Sequence, residues 1–188
     1  MFIQTEPTPN PATLKFIPGK TVLGDGTVDF RDKSEATSSP LAQRLFGVSG
    51  VTGVFLGSDF ISVTKSDADE WQHMKPAILG AIMEHYMSGA PIIEGDDDSA
   101  AEEAALEHYD AKDADTVKTI KELLDTRVRP AVANDGGDIV FRGFKEGVVF
   151  LHMRGACSGC PSSTATLRHG IENLLRHFCP DVQEVRPV

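Results

Sequence analysis

Cysteine is scarce in this chain, with three residues in 188, at positions 157, 160 and 179. So small and odd a number excludes a disulfide-stapled secreted scaffold and points to a reducing compartment. No apolar run approaches the roughly twenty residues that a membrane-spanning helix needs, so no membrane partner is expected. The opening MFIQTEPTPNPATLKF lacks a basic n-region followed by an apolar run, and it is not Arg-rich. The expected location is therefore the bacterial cytoplasm, or the mitochondrial matrix if a leader has been removed. No nucleophile-base arrangement or P-loop is present, and GDG at Gly24 to Gly26 lacks the third glycine of a dinucleotide fingerprint, so the chain is not expected to be an enzyme. Excess positive charge is missing too. Residues 116 to 188 carry ten Lys or Arg against eight Asp or Glu, without aromatic interleaving, which argues against nucleic-acid binding.

What charge there is lies unevenly. Of the formal net charge of -10, most comes from residues 94 to 115, which hold one Lys against ten Asp or Glu. Such a run of like charges and small residues cannot bury enough apolar area to offset the entropy of ordering. It predicts a flexible acidic linker over 94–113, between a first domain at 1–93 and a second at 114–188. Both domains read as α+β, small and α/β-sandwich-like.

In the first domain, Phe2 to Thr5 and Thr13 to Ile17 read as strands around a turn containing Pro7, Pro9 and Pro11. Ser39 caps a short helix that begins at Pro40. Two strands follow between Gly50 and Thr64, and then a helix over Asp69 to Met87 with Pro76 inside it. In the second domain, Asp115 is expected to cap an amphipathic helix that Pro130 ends. Strands at Ile139 to Phe144 and Gly147 to Met153 come next. A helix burying Leu167, Ile171, Leu174, Leu175 and Phe178 follows, with a last strand at Val182 to Val185, giving the order α-β-β-α-β.

The chemistry concentrates in GACSGCPSS, residues 155 to 163. CxxC spacing lets two thiolates converge on one metal or cluster without strain. Pro161 suits the first position of the following helix, whose N-terminal dipole is expected to ease deprotonation of Cys157 and Cys160. Three other readings stand beside this one: a zinc half-site, a thiol-disulfide oxidoreductase, and two small core residues. The β-β-α-β order disfavours the redox reading, because a thioredoxin-like site follows a βαβ unit. Cys179 is a poor third ligand, since a helix of sixteen or so residues at about 1.5 Å rise sets it over 20 Å away; it reads as a core residue. Two thiols per chain against the four ligands of a cluster imply two chains, so a cluster would bridge a homodimer. His73, His85 and His108 have no partner at metal-site spacing, while His152 reads as a partly buried strand residue and His169 and His177 as solvent-side residues of the last helix. Arg154 and Arg168 flank the thiols in sequence and are candidates for offsetting a cluster's negative charge.

The stretches DGGDIVFRG, GVVFLHMRGACSGCPSSTATLRHGIENLL and PDVQEV resemble the C-terminal domain of the NifU and Nfu iron-sulfur scaffold family. TEPTPNPATLKFIPG resembles the N-terminal domain of Nfu-type members. The resemblance implies a carrier of a labile [4Fe-4S] cluster, with Cys157 and Cys160 as its ligands. Its implied partners are upstream cluster-assembly proteins and apo iron-sulfur clients such as aconitase-like dehydratases and lipoyl synthase.

Overall fold

The computed structural model describes residues 1–95, 105–158 and 161–188, the last range without the side chains of 161–163. The chain divides into two compact units, Met1–Asp97 and Asp98–Val188. Each is a mixed α/β structure with one sheet.

The first unit builds a five-stranded antiparallel sheet in the order β1-β2-β5-β4-β3. Its strands are β1 (Gln4–Pro7), β2 (Thr13–Ile17), β3 (Val28–Phe30), β4 (Val51–Leu56) and β5 (Ile61–Lys65). Register places Phe16 opposite Ile61, and Val54 opposite Val63. These side chains enter one core with Leu41 and Leu45 of α1 (Pro40–Phe46) and Ile78 and Ile82 of α2 (Trp71–Ser88). Ser39 caps α1 as expected: its hydroxyl accepts from the Ala42 N–H at 3.1 Å and donates to the Ile92 carbonyl at 2.6 Å. Helix α2 starts two residues later than expected and runs through Pro76. The short strand β3 was not foreseen.

The second unit has a four-stranded sheet, β6-β7-β8-β9, with β6 (His108–Tyr109), β7 (Gly137–Lys145), β8 (Val148–Gly155) and β9 (Glu184–Pro187). The long β7-β8 hairpin is antiparallel, while β6 and β9 add in parallel at its two edges. Its connection is a two-residue turn with φ of 51° at Glu146 and 81° at Gly147, the mirror-image geometry that matches strand twist. Helix α5 (Pro161–Phe178) covers the sheet with Ile171 and Leu175 buried.

Three expectations need correction here. The first helix, α3 (Ala114–Leu123), has Asp115 in its first turn rather than at its cap. Pro130 does not end the helical run. A wide turn of i→i+5 type at Leu124–Val128 joins α3 to α4 (Arg129–Asn134), so Pro130 falls in the first turn of a new segment, where its missing N–H costs little. Phe178 is 45% exposed instead of buried, and Cys179 takes the inward position one residue on.

The expected acidic linker is only partly within the described residues, since 96–104 lie outside them. At its C-terminal end, His108 and Tyr109 pair with Gly143 and Phe144 of β7. Glu107 there holds the Lys121 ammonium at 2.8 and 2.9 Å. The described C-terminal end of this segment, read as unstructured for its charge, is thus seated by a few aromatic and ionic contacts.

Candidate metal centre

The hairpin brings the start of β7 and the end of β8 together, pairing Gly137 with Gly155 and Asp138 with Arg154. Gly155 has φ of 64°, which lets the chain leave the sheet sharply. The turn that follows is held on both sides. Ala156 N–H donates to the Gly136 carbonyl at 3.2 Å, and Ser158 donates to the Gly155 carbonyl through its N–H at 3.1 Å and its hydroxyl at 2.8 Å. From α5, the Thr164 hydroxyl donates to the Cys157 carbonyl at 3.0 Å.

Cys157 points into the core from this turn, 7% exposed. Its Sγ rests against Gly137. A Cβ built there would lie 2.7 Å from the sulfur and 2.7 Å from the Arg154 carbonyl oxygen, so only glycine fits. Burial, then the charges of Asp135 and Asp138, push the Cys157 thiol up to about 12. For Cys157 this overturns the expectation of easy deprotonation, since desolvation and two like charges both disfavour the thiolate. Cys160 lies outside the described residues, and Pro161 begins α5 as its sequence predicts.

Beneath the turn is a pair that sequence reasoning missed. Asp138 is buried at the head of β7 and takes a bidentate fork from Arg129, with Nε to Oδ1 at 2.9 Å and Nη2 to Oδ2 at 2.8 Å. The remaining arm of Arg129 reaches Asp125 at 3.2 Å. These two carboxylates raise the guanidinium's proton affinity, Asp138 foremost. The signal was available. An acid followed directly by Ile-Val-Phe in a strand must find a cation, and Arg129 is the nearest arginine before it.

Other candidates fall away from the turn. Cys179 is buried at the far end of α5, its thiol pushed up by burial and by Asp181. Arg168 lies within electrostatic reach of Glu184 on β9, which places it toward the sheet edge. The His152 ring meets the Val188 carbonyl at 2.9 Å, and His169 and His177 are exposed. Among the described residues no three His, Cys, Asp or Glu side chains cluster as metal ligands.

Residues 3–89 match the family described as scaffold protein Nfu/NifU N terminal, and residues 120–186 match the NifU-like domain. The chain is 51% identical over 189 residues to the NFU1 iron-sulfur cluster scaffold homolog, mitochondrial, of Drosophila sechellia, covering 100% of this chain and 65% of that protein. It is 51% identical over 187 residues to NifU-like protein 5, mitochondrial, of Arabidopsis thaliana, covering 98% of this chain and 67% of that one. A solution structure of a NifU-like protein from Saccharomyces cerevisiae shares 26% identity over 51% of this chain and 87% of its own, with a TM-score of 0.46. The chain thus spans about two thirds of the length of these curated relatives. With both segments matched in order and half of all aligned residues identical, the chain belongs to the Nfu/NifU family of iron-sulfur cluster scaffold proteins.

Proposed function

We propose that this chain carries a labile [4Fe-4S] cluster as cargo, held by Cys157 and Cys160 of two copies, and passes it to apo iron-sulfur proteins after receiving it from upstream assembly proteins. The observation that carries this reading is the placement of Cys157 on the turn between β8 and α5, in a chain of the scaffold family that supplies two thiols at CxxC spacing. Two thiolates satisfy half of a cluster's four positions, so a second copy completes the site. A cluster held by two short turns has few bonds to the protein around it, which suits transfer. The role is that of a carrier and not of a catalyst. The domains that perform it are the N-terminal 1–93 and the cluster-binding 114–188, in the mitochondrial matrix or a bacterial cytoplasm. The described residues contain no helix long and apolar enough to cross a membrane.

Anaerobic reconstitution with iron, sulfide and a thiol reductant tests this. The expected result is a broad absorption near about 400 nm, about four iron and four sulfide per dimer, and a doubling of mass on loading. Cys157→Ala and Cys160→Ala should each abolish all three. A colourless monomer that cycles a Cys157–Cys160 disulfide would favour thiol-disulfide exchange, and a single zinc with no sulfide would favour a zinc-binding module.

A further inference from the structure

Arg129 and Asp138 do something that neither core packing nor surface charge accounts for. The Asp138 side chain is 4% exposed and Arg129 37% exposed, and the strand residues that follow, Ile139 and Phe141, belong to the apolar core. An apolar residue at position 138 would pack there at no desolvation cost, so a buried ion pair is a poor device for stability alone. Its geometry is specific instead. The planar fork makes two bonds to one carboxylate, which fixes the direction as well as the position of the head of β7. The wide turn at Leu124–Val128 immediately precedes Arg129, and such turns within helical runs are frequent at functional sites.

Two contacts carry that placement to the thiol. Gly137, next to Asp138, is the wall against which Cys157 Sγ rests, and the Gly136 carbonyl holds the Ala156 N–H. We infer that Arg129 and Asp138 are positioning residues for Cys157, whose fork presses the Gly136-Gly137 backbone against the Gly155–Ser158 turn and keeps the unloaded thiol in a closed seat. Loading then requires Sγ to turn out of that seat toward the second copy, and the fork sets how readily it does so. The part of this that concerns loading rests on the cluster-carrying reading; the closed seat does not.

The test uses the full chain, reduced and unloaded, with iodoacetamide labelling followed at Cys157 and Cys179 separately by mass spectrometry. Cys179 is buried in the same core but at the opposite end of α5, so it reports general loosening. Arg129→Lys keeps the positive charge and loses the fork. Because a charge-assisted hydrogen bond is worth enough to shift an opening equilibrium by about tenfold, Cys157 should label about tenfold faster with Cys179 unchanged. Asp125→Ala removes only the outer bond and should give a smaller rise at Cys157 alone, which serves if Arg129→Lys does not fold. Equal acceleration at both cysteines would reduce the pair to a structural role, and no acceleration at either would also overturn the inference. Reconstitution of the unsubstituted chain is run alongside. Selective labelling in a chain that assembles no cluster would sink the carrier reading and leave the positioning role standing; a chain that loads normally but labels without selectivity would do the reverse.

Discussion

Both units bury ionisable side chains, yet only in the C-terminal unit does the buried charge touch the candidate chemistry. In the N-terminal unit, Lys15 lies over the Phe60 ring at 4.7 Å and pairs with Glu6 at 3.8 Å. His85 is fully buried there, its affinity for a proton lowered by burial and then by Arg44. In the C-terminal unit, Asp138 is gripped by an arginine fork one residue from the wall of the Cys157 seat. A buried ionisable group is therefore not by itself a sign of a site. What distinguishes the second case is continuity from the charge through a glycine pair to a thiol.

The contrast can be broken first at the cores, where the largest effects are expected and the two units should behave alike. Leu41→Ala in the N-terminal unit and Leu175→Ala in the C-terminal unit each remove a fully buried side chain. Each should cost about 2–5 kcal/mol, read by hydrogen exchange on α2 for the first and α5 for the second. If Leu175→Ala leaves α5 protected, the C-terminal core is not organised as described. Asp138→Ala should come next, at about 2 kcal/mol by denaturant titration. That is less than the 3–5 kcal/mol for breaking a wholly buried pair, because the orphaned guanidinium still reaches water.

His85 sharpens the comparison through pH. Its folded affinity for a proton is below the ordinary value of 6.5, so the unfolded chain binds more protons and stability rises with pH in this range. The N-terminal unit should be fully stable above about 6.5 and lose stability as pH falls from there toward the lower folded value, with a slope of at most about 1.4 kcal/mol per pH unit. His85→Gln should flatten that slope, and hydrogen exchange on α2 between pH 7 and 5, roughly the span over which histidine changes charge, measures it. An unchanged slope would mean that another group titrates. Phe178→Ala should have the smallest effect, within about 0.5 kcal/mol, since the ring is 45% exposed and its notable neighbour is the Arg127 guanidinium at 5.0 Å.

Much of the fold was legible from periodicity. Thr13–Ile17 emerges with the bounds its alternation predicts, and Ser39-Pro40 marks a helix start by its chemistry. The features that escaped share one property, which is that a tertiary partner decides them. β6 is two residues long and exists because Gly143 leaves room for the His108 carbonyl: a Cβ there would come within 2.6 Å of it. Pro130 reads as a stop until the wide turn before it resets the hydrogen-bond register. The CxxC motif names the thiols, but spacing carries no information about burial. Whether Cys157 faces water or core depends on Gly137, which is twenty residues earlier in the chain and opposite it in space.

The Glu146-Gly147 turn has a consequence for how the C-terminal unit comes apart. Its two-residue loop makes the Lys145 and Val148 rung the most local contact of the β7-β8 ladder, so zipping starts there and proceeds away from it. Gly137 and Gly155 form the final rung, at the opposite end. The seat of the thiol is thus the part of the ladder that the turn does least to hold, and it is the Arg129–Asp138 fork and the Ala156–Gly136 hydrogen bond that keep the strand ends together there.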